Sequence, residues 1–209
     1  MFEIITITIL ILSIVFHEVA HGYAANWLGD PTARLAGRLS PNPLLHIDPV
    51  GSVLVPGLLF FSGAHFLFGW AKPVPYNPYN LRNQRWGESI VAAAGPLANL
   101  FLALIFSIFI RLSDTLALSP AFLEMAGYVV FINILLALFN SIPFPPLDGS
   151  KIVVPFLPTG LQYQYRALTA YMDRLGFIAL LVMVFIFMQI LWKPFSTLVF
   201  WVFHLMSGL

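Results

Sequence analysis

Two histidines and a glutamate lie close together in an otherwise apolar N-terminal stretch of the chain. His17, Glu18 and His21 form the pattern His-Glu-x-x-His within HEVAHGY. On a helix, residues four positions apart lie on the same face, so the two imidazoles can bind one metal ion between them. Zinc is the ion that this pattern typically binds, and the adjacent glutamate can accept a proton from an attacking water. The pattern therefore predicts a hydrolytic metal site with Glu18 as its general base.

The same histidines could instead form only structural hydrogen bonds to neighbouring helices. The composition of the surrounding stretch argues against this alternative, because residues 4–16 contain no charged side chain. Ionisable groups destabilise a membrane helix by several kcal/mol and usually mark a functional site. A bound dication with paired ligands offsets that energy, so we favour the metal site.

A catalytic zinc site usually has three protein ligands and one open position, so a further ligand is needed. The sequence contains no cysteine, which leaves His, Asp or Glu. The best candidate is Asp148 in NSIPFPPLDGSK (140–151), where three prolines end the preceding apolar segment and Gly149 allows an irregular turn. An alternative role for Asp148 is the N-cap of the segment that follows.

The composition is that of an integral membrane protein. Hydrophobic residues make up 59% and charged residues 9% of the 209 positions, whereas soluble domains carry about 25% charged residues. The net charge of +1 does not indicate nucleic-acid binding. A spanning helix needs about 20 apolar residues. The candidate membrane segments are 3–28, 50–68, 89–111, 123–142, 175–192 and 195–207.

These segments predict an all-α polytopic membrane protein with five to six membrane segments. The length suits a single domain, 1–209, with a core of 1–152 and C-terminal membrane helices in 153–209. Residues 159–173 place apolar side chains at helical spacing beside polar ones. They predict a helix that lies in the membrane interface.

The positions of Lys and Arg predict the orientation of the chain, because these residues gather in cytoplasmic loops. Segment 50–68 could cross the bilayer, which would place loops 29–49 and 69–87 on opposite sides, or it could dip in and return. We favour the re-entrant path, because Pro56-Gly57 and Ser62-Gly63 suit a broken element. With re-entry, Arg111 and Lys193 lie outside. The cytoplasmic side has Arg34, Arg38, Lys72, Arg82, Arg85, Lys151, Arg166 and Arg174. The N-terminus is then outside, the C-terminus is inside, and the two halves of the metal site meet near the cytoplasmic side.

The two motifs occur in this order in a membrane chain, and together they resemble those of the site-2 protease family of intramembrane zinc metalloproteases. HEVAH and NSIPFPPLDG carry the resemblance, together with LGDPTARLAGRLSPNPLLHIDPVGS, FGWAKPVPYNP and AAAGPLANL. It covers residues 13 to about 152. The chain looks like the compact prokaryotic branch, without PDZ or CBS modules.

The resemblance implies one zinc per chain, held by His17, His21 and Asp148, with Glu18 as the general base. It implies cleavage of a peptide bond in or near a transmembrane helix, as in regulated intramembrane proteolysis. The expected partners are the lipid bilayer and a membrane-protein substrate with a single transmembrane helix, and the expected location is the cell membrane. The resemblance also implies a re-entrant or β-hairpin element between the first two core helices.

Asparagines in the motifs are candidates for a supporting role. The resemblance suggests that Asn99 and Asn140 hold the substrate backbone or shape the site, whereas the alternative is hydrogen bonding between helices. We assign Asn133 to hydrogen bonding between helices. For His46 and Asp48 we favour a structural role over metal binding. The Ala92–Gly95 stretch predicts only close helix packing.

Two other classes of function compete with the protease. A zinc-binding membrane protein or transporter without hydrolase activity would bind the same ion, but transporters commonly spread polar residues over several helices and contain repeats. This chain concentrates them at one site. An inactive protease-like scaffold is the other alternative, and the intact Glu18 with a full ligand set argues against it.

Overall fold

The computed structural model describes residues 2–61 and 69–209, and these residues form helices and turns without a β-strand. They contain nine α-helices, which are α1 (Phe2–Trp27), α2 (Thr32–Leu35), α3 (Val55–Phe61), α4 (Gly87–Arg111), α5 (Pro120–Asn140), α6 (Gly149–Ile152), α7 (Thr159–Leu175), α8 (Phe177–Ile186) and α9 (Trp192–Ser207). The shorter elements are π-helical turns at Pro49–Leu54 and Phe187–Leu191 and 3₁₀ turns at Pro43–His46, Pro78–Asn80 and Val154–Phe156.

Four helical stretches in the described part of the chain are long and apolar enough to cross a membrane. They are Ile4–Trp27, Gly87–Arg111, Pro120–Asn140 and Leu181–Ser207. The prediction of an all-α membrane protein is confirmed, but the count of five to six segments is not. The predicted segments 175–192 and 195–207 merge into one stretch. Helix α9 begins at Trp192, so Pro194 lies in its first turn, where a helix tolerates proline.

The remaining candidate, 50–68, begins with a π-helical turn and the seven-residue helix α3, and residues 62–68 lie outside the described residues. Its two flanks contact each other. The N–H of Trp70 donates to the carbonyl of Gly51 (3.1 Å) and the hydroxyl of Ser52 donates to the carbonyl of Trp70 (2.8 Å). Residues 51 and 70 therefore lie on the same side of the bundle.

Helix α4 lies at the centre of the bundle and packs against α1 and α5. Its buried face repeats every four residues as Gly95, Asn99, Ala103 and Ser107. Gly95, Ala103 and Ser107 are small, and small side chains let membrane helices approach closely. Ala92 is also buried on α4. The burial of Ala92 and Gly95 fits the packing role predicted for the Ala92–Gly95 stretch.

The bundle has two ends, which we call the Asp148 end and the Arg111 end. The Arg111 guanidinium, at the C-terminus of α4, donates to the carbonyls of Leu205 (2.6 Å) and Met206 (2.7 Å). The predicted position of the C-terminus, on the side of Asp148, is therefore wrong. One spanning stretch in place of two segments brings the C-terminus to the Arg111 end.

Lys193 lies near the opposite end from its predicted position. Phe195, two residues later, contacts Phe139 at the end of α5, with 6.2 Å between the ring centroids. Lys193 is thus near the Asp148 end, and among the ten Lys and Arg residues of the chain only Arg111 lies at the Arg111 end.

The predicted amphipathic helix 159–173 corresponds to α7. Its Tyr165 hydroxyl donates to the carbonyl of Pro143 (2.9 Å), which attaches the helix to the Asp148 end. Leu161 and Leu168 on its outer side are exposed. The helix itself is confirmed, and its position in the membrane interface stays a prediction.

Candidate metal centre

Three side chains from α1 and the 141–148 turn converge at one point. The Nε2 atoms of His17 and His21 are 3.1 Å apart, and Asp148 Oδ2 lies 3.0 Å from the first and 3.2 Å from the second. Three ligand atoms bound tetrahedrally to zinc at 2.0–2.1 Å would be separated by about 3.3 Å. The spacing of these atoms fits a metal ion of this size.

The protonation of the two imidazoles supports the same conclusion. The Nδ1–H of His21 donates to the carbonyl of Val91 (2.7 Å), and the Nδ1–H of His17 donates to Asn99 Oδ1 (2.7 Å). Each Nε2 therefore keeps its lone pair and directs it towards the carboxylate of Asp148. Three acceptors converge without a donor between them, an arrangement that a cation stabilises.

Asp148 reaches the histidines because the chain turns sharply after α5. Leu147 is buried, and a Cβ atom at Gly149 would lie 2.3 Å from the carbonyl oxygens of Ser141 and Ile142, so only glycine fits. Asp148 precedes α6, but its side chain makes no capping hydrogen bond. The alternative role of Asp148 as an N-cap is therefore not supported.

Gly95 forms the back wall of the centre. A Cβ atom at this position would lie 2.5 Å from Nε2 of His21 and 2.6 Å from Nε2 of His17. The sequence predicted only a packing role for Gly95 and gave no indication that it lies beside the predicted metal ligands. Its only signal was the choice of glycine rather than a fourth alanine after Ala92–Ala94.

Glu18 borders the same space, and an extended segment holds its carboxylate in place. The N–H of Val74 donates to Glu18 Oε2 (2.9 Å). The buried guanidinium of Arg38 donates to the carbonyl of Lys72 (2.8 Å), just before Val74. The loop that precedes α4 therefore controls the orientation of the predicted general base.

A cavity of about 570 Å³ opens in front of these residues. Its wall is mostly apolar, with Trp70, Tyr76 and Met172 among the lining side chains. Asn140 also lines it, and its Nδ2 donates to the carbonyl of Leu136 (3.0 Å) within α5.

Asn99 and Asn133 occupy a different place, behind the ligands. Both are fully buried, and the Nδ2–H of Asn99 donates to Asn133 Oδ1 (2.8 Å) between α4 and α5. The prediction that Asn133 bonds between helices is confirmed. Asn99 contacts the predicted metal ligand His17 and does not line the cavity.

His46 and Asp48 have structural roles, as favoured from the sequence. The Nε2 of His46 bonds the carbonyl of Ser40 (2.9 Å), and Asp48 Oδ1 accepts the N–H groups of Val50 (2.9 Å) and Gly51 (2.7 Å). Neither lies in the group that could hold a metal among the described residues, which consists of His17, His21 and Asp148.

Two charged residues with specific tertiary partners were missed from the sequence. Asp30 is fully buried, and its carboxylate accepts the N–H of Asn77 (2.6 Å) and the amide of Asn80 (2.9 Å). Its signal was the Asp30-Pro31 pair, a common turn start. Lys151 lines the cavity, with its Nζ 5.2 Å from the centre of the Tyr76 ring. No local pattern identifies Lys151, because its partner is 75 positions away.

Comparison with known proteins agrees with this centre. The family model of peptidase family M50 matches residues 5–117. The protein named "Putative zinc metalloprotease YwhC" from Bacillus subtilis is 36% identical over 180 residues, which cover 83% of this chain and 77% of that protein. "Putative zinc metalloprotease Rip2" from Mycolicibacterium smegmatis is 30% identical over 201 residues, 92% of this chain and 70% of the relative. No solved structure matches the chain. The chain therefore belongs to peptidase family M50, the site-2 protease family.

Proposed function

We propose that this protein is a zinc-dependent endopeptidase that hydrolyses peptide bonds in or near the transmembrane helices of membrane proteins. The observation that carries the proposal is the convergence of three metal-binding acceptors beside a glutamate, at a mostly apolar cavity bordered by α1, α4 and α5. The family and the names of the relatives support a zinc metalloprotease. The membrane substrate is our inference from where the cavity lies.

His17, His21 and Asp148 would hold one zinc ion per chain. When bound, zinc would supply a Lewis acid that polarises the scissile carbonyl and activates water. Glu18 accepts the proton of the attacking water and then transfers it to the leaving nitrogen. The N–H of Val74 donates to Oε2 of this carboxylate and so holds the orientation of the base.

The substrate would lie in the cavity in an unwound conformation, because the carbonyls of an intact helix are already bonded. Asn140 uses its Nδ2 within α5, which leaves Oδ1 to accept an N–H from the substrate backbone. We assign Asn99 to orienting His17 rather than to substrate contact, since it is fully buried away from the cavity.

The Asp148 end would face the cytoplasm of the cell membrane. Nine of the ten Lys and Arg residues lie at this end, which is the bias expected of a cytoplasmic side. The contact between Gly51 and Trp70 supports a re-entrant path for 50–68, because the flanks of a crossing segment would be about 30 Å apart. Both termini would then be outside. A substrate with a single transmembrane helix would be cut near its cytoplasmic end, as in regulated intramembrane proteolysis.

The test compares zinc content and cleavage in the wild type and in Glu18→Gln, purified in detergent. Single-span membrane proteins with a detectable tag serve as substrates. We expect one zinc per chain in both proteins and cleavage only by the wild type. Cleavage by Glu18→Gln would refute the role of Glu18 as the base. Zinc binding without cleavage of any substrate would favour the non-hydrolytic transporter or the scaffold.

A further inference from the structure

Three buried polar side chains lie behind the metal centre, one on each central helix. Ser13 is on α1, Asn99 on α4 and Asn133 on α5, and both asparagines have 0% exposure. Unpaired amides inside an apolar helix bundle are strongly unfavourable. These side chains satisfy one another, so they form a single hydrogen-bonded network across the bundle.

Two backbone carbonyls determine the direction of this network. The Nδ2 of Asn99 donates to the carbonyl of Ser13 (3.2 Å), and the Nδ2 of Asn133 donates to the carbonyl of Val129 (2.9 Å). Because a carbonyl only accepts, neither amide can be rotated by half a turn without bringing two acceptors into contact. The second N–H of each amide donates to Asn133 Oδ1 (2.8 Å) and Ser13 Oγ (2.9 Å), respectively.

The orientation of the Asn99 amide determines which ring nitrogen of His17 carries the proton. With Asn99 held in this orientation, its Oδ1 faces Nδ1 of His17 at 2.7 Å, so that nitrogen carries the proton. The Nε2 of His17 is then left as the metal-binding atom. The carbonyl of Val91 sets the protonation of His21 directly. His21 thus depends directly on a backbone group, whereas His17 depends on the side chain of Asn99, which the carbonyl of Ser13 and the side chain of Asn133 hold in turn.

We propose that Asn133 and Ser13 are positioning residues of the metal centre, which act through Asn99 on the tautomer and orientation of His17. The proposal rests on the proposed function, because it assigns these residues to the same zinc site. If the network only joined helices, its loss would lower stability without a specific effect on zinc affinity. If it positions His17, zinc affinity falls more than the loss of stability explains.

The test is zinc affinity in detergent, measured with zinc alone by competition with a chromophoric chelator. We expect Asn133→Leu to weaken zinc binding about tenfold, the lower end of the range for outer partners of metal ligands. Val130→Ala is the matched control, because Val130 is buried on α5 three residues earlier and offers only packing. We expect it to lower thermal stability and leave zinc affinity unchanged. The visible spectrum of the Co²⁺-loaded protein should change only for Asn133→Leu.

Ser13→Ala and Ser107→Ala form a second, milder pair that decides the question if Asn133→Leu does not fold. Both changes remove a buried hydroxyl, but Ser107 Oγ has no hydrogen-bond partner among the described residues. We expect only Ser13→Ala to weaken zinc binding. The proposal would be overturned if zinc affinity were unchanged in Ser13→Ala and in any folded Asn133→Leu. It would also be overturned if zinc binding weakened equally in the control variants. A wild type that binds no zinc would instead contradict the proposed function itself.

Discussion

At the Arg111 end, α4, α5 and α9 meet through apolar side chains such as Ile110, Val130 and Val199, and a Cβ atom added at Gly127 would contact nothing within 4 Å. At the Asp148 end, an added Cβ atom at Gly95 would overlap both histidines. The same helices form an apolar core with room for an added methyl group at one end. At the other end they form a polar centre with no such room. Substitutions should therefore affect zinc binding at the Asp148 end and only stability at the Arg111 end.

The largest expected effect is that of Asp148→Ala, which removes one of the three ligand side chains. We expect zinc affinity to fall by more than about 100-fold, because loss of a residue that only hydrogen-bonds to a metal ligand already lowers affinity about 10- to 100-fold. Chelator competition in detergent measures this loss, and cleavage should disappear with it. Wild-type zinc affinity in Asp148→Ala would mean that another residue supplies the third ligand.

The comparison between the two ends is sharpest for a pair of glycines. In Gly95→Ala the new methyl group would displace the histidines, so we expect loss of zinc binding and of cleavage. In Gly127→Ala the methyl group enters open space. We expect the free energy of unfolding to stay unchanged or to rise by about 0.5 kcal/mol. Zinc content and thermal unfolding of both variants are the measurements. Wild-type zinc content in both variants would show that the close approach of α4 to the ligands is not needed.

A moderate effect is expected from Asp30→Asn, which changes a buried carboxylate that ties the loop before α4 to the end of α1. We expect a loss of about 2 kcal/mol at neutral pH, because backbone and side-chain donors lose a charged acceptor. Thermal unfolding in detergent measures it. Zinc affinity should change much less than in Gly95→Ala, since Asp30 does not contact the ligands.

The pH dependence of this effect follows from the pKa of Asp30. Burial alone would raise that pKa, but hydrogen bonds from Thr32, Asn80 and Asn77 lower it below its usual value. A lowered folded-state pKa stabilises the protein above the unfolded pKa of about 3.9, and the contribution disappears as pH falls through the folded pKa. The stability difference between wild type and Asp30→Asn should therefore shrink below about pH 4. A difference that stays constant down to pH 3 would contradict this.

The smallest effect is expected at the opposite end, from Arg111→Gln. The variant loses two hydrogen bonds to the carbonyls of Leu205 and Met206, in an exposed position. We expect a loss of at most about 1 kcal/mol in thermal stability and no change in zinc affinity or cleavage. A marked loss of zinc would show that the two ends are coupled after all.

Asn99 and Asn140 show how far the sequence could predict the site. Both are motif asparagines, and from the sequence they were equal candidates for substrate contact. Only the packing of α4 against α1 places Asn99 behind His17, while the position of Asn140 at the end of α5 leaves it on the cavity. The two residues have the same chemistry, so their roles depend on which neighbours the helices bring to them.

The C-terminal helices illustrate the same limit for the fold. The pair Lys193-Pro194 predicted a break between two membrane segments, which would have returned the C-terminus to the side of Asp148. The proline is accommodated in the first turn of α9, and one stretch continues to the Arg111 end. A local sequence shows where a helix begins or is interrupted. The path of α9 depends on tertiary contacts such as that of Phe195 with Phe139.

The sequence by itself determined the features that depend on local spacing. Four-residue spacing on one helix brings His17 and His21 together, apolar runs define the membrane helices, and the prolines before Asp148 end α5 where a ligand is needed. The tertiary structure decided what surrounds these residues. Gly95 and the Asn99–Asn133 network contact α1 from positions about 80 to 120 residues away. Such contacts depend on how closely and in which rotation the helices pack, and no local pattern encodes that.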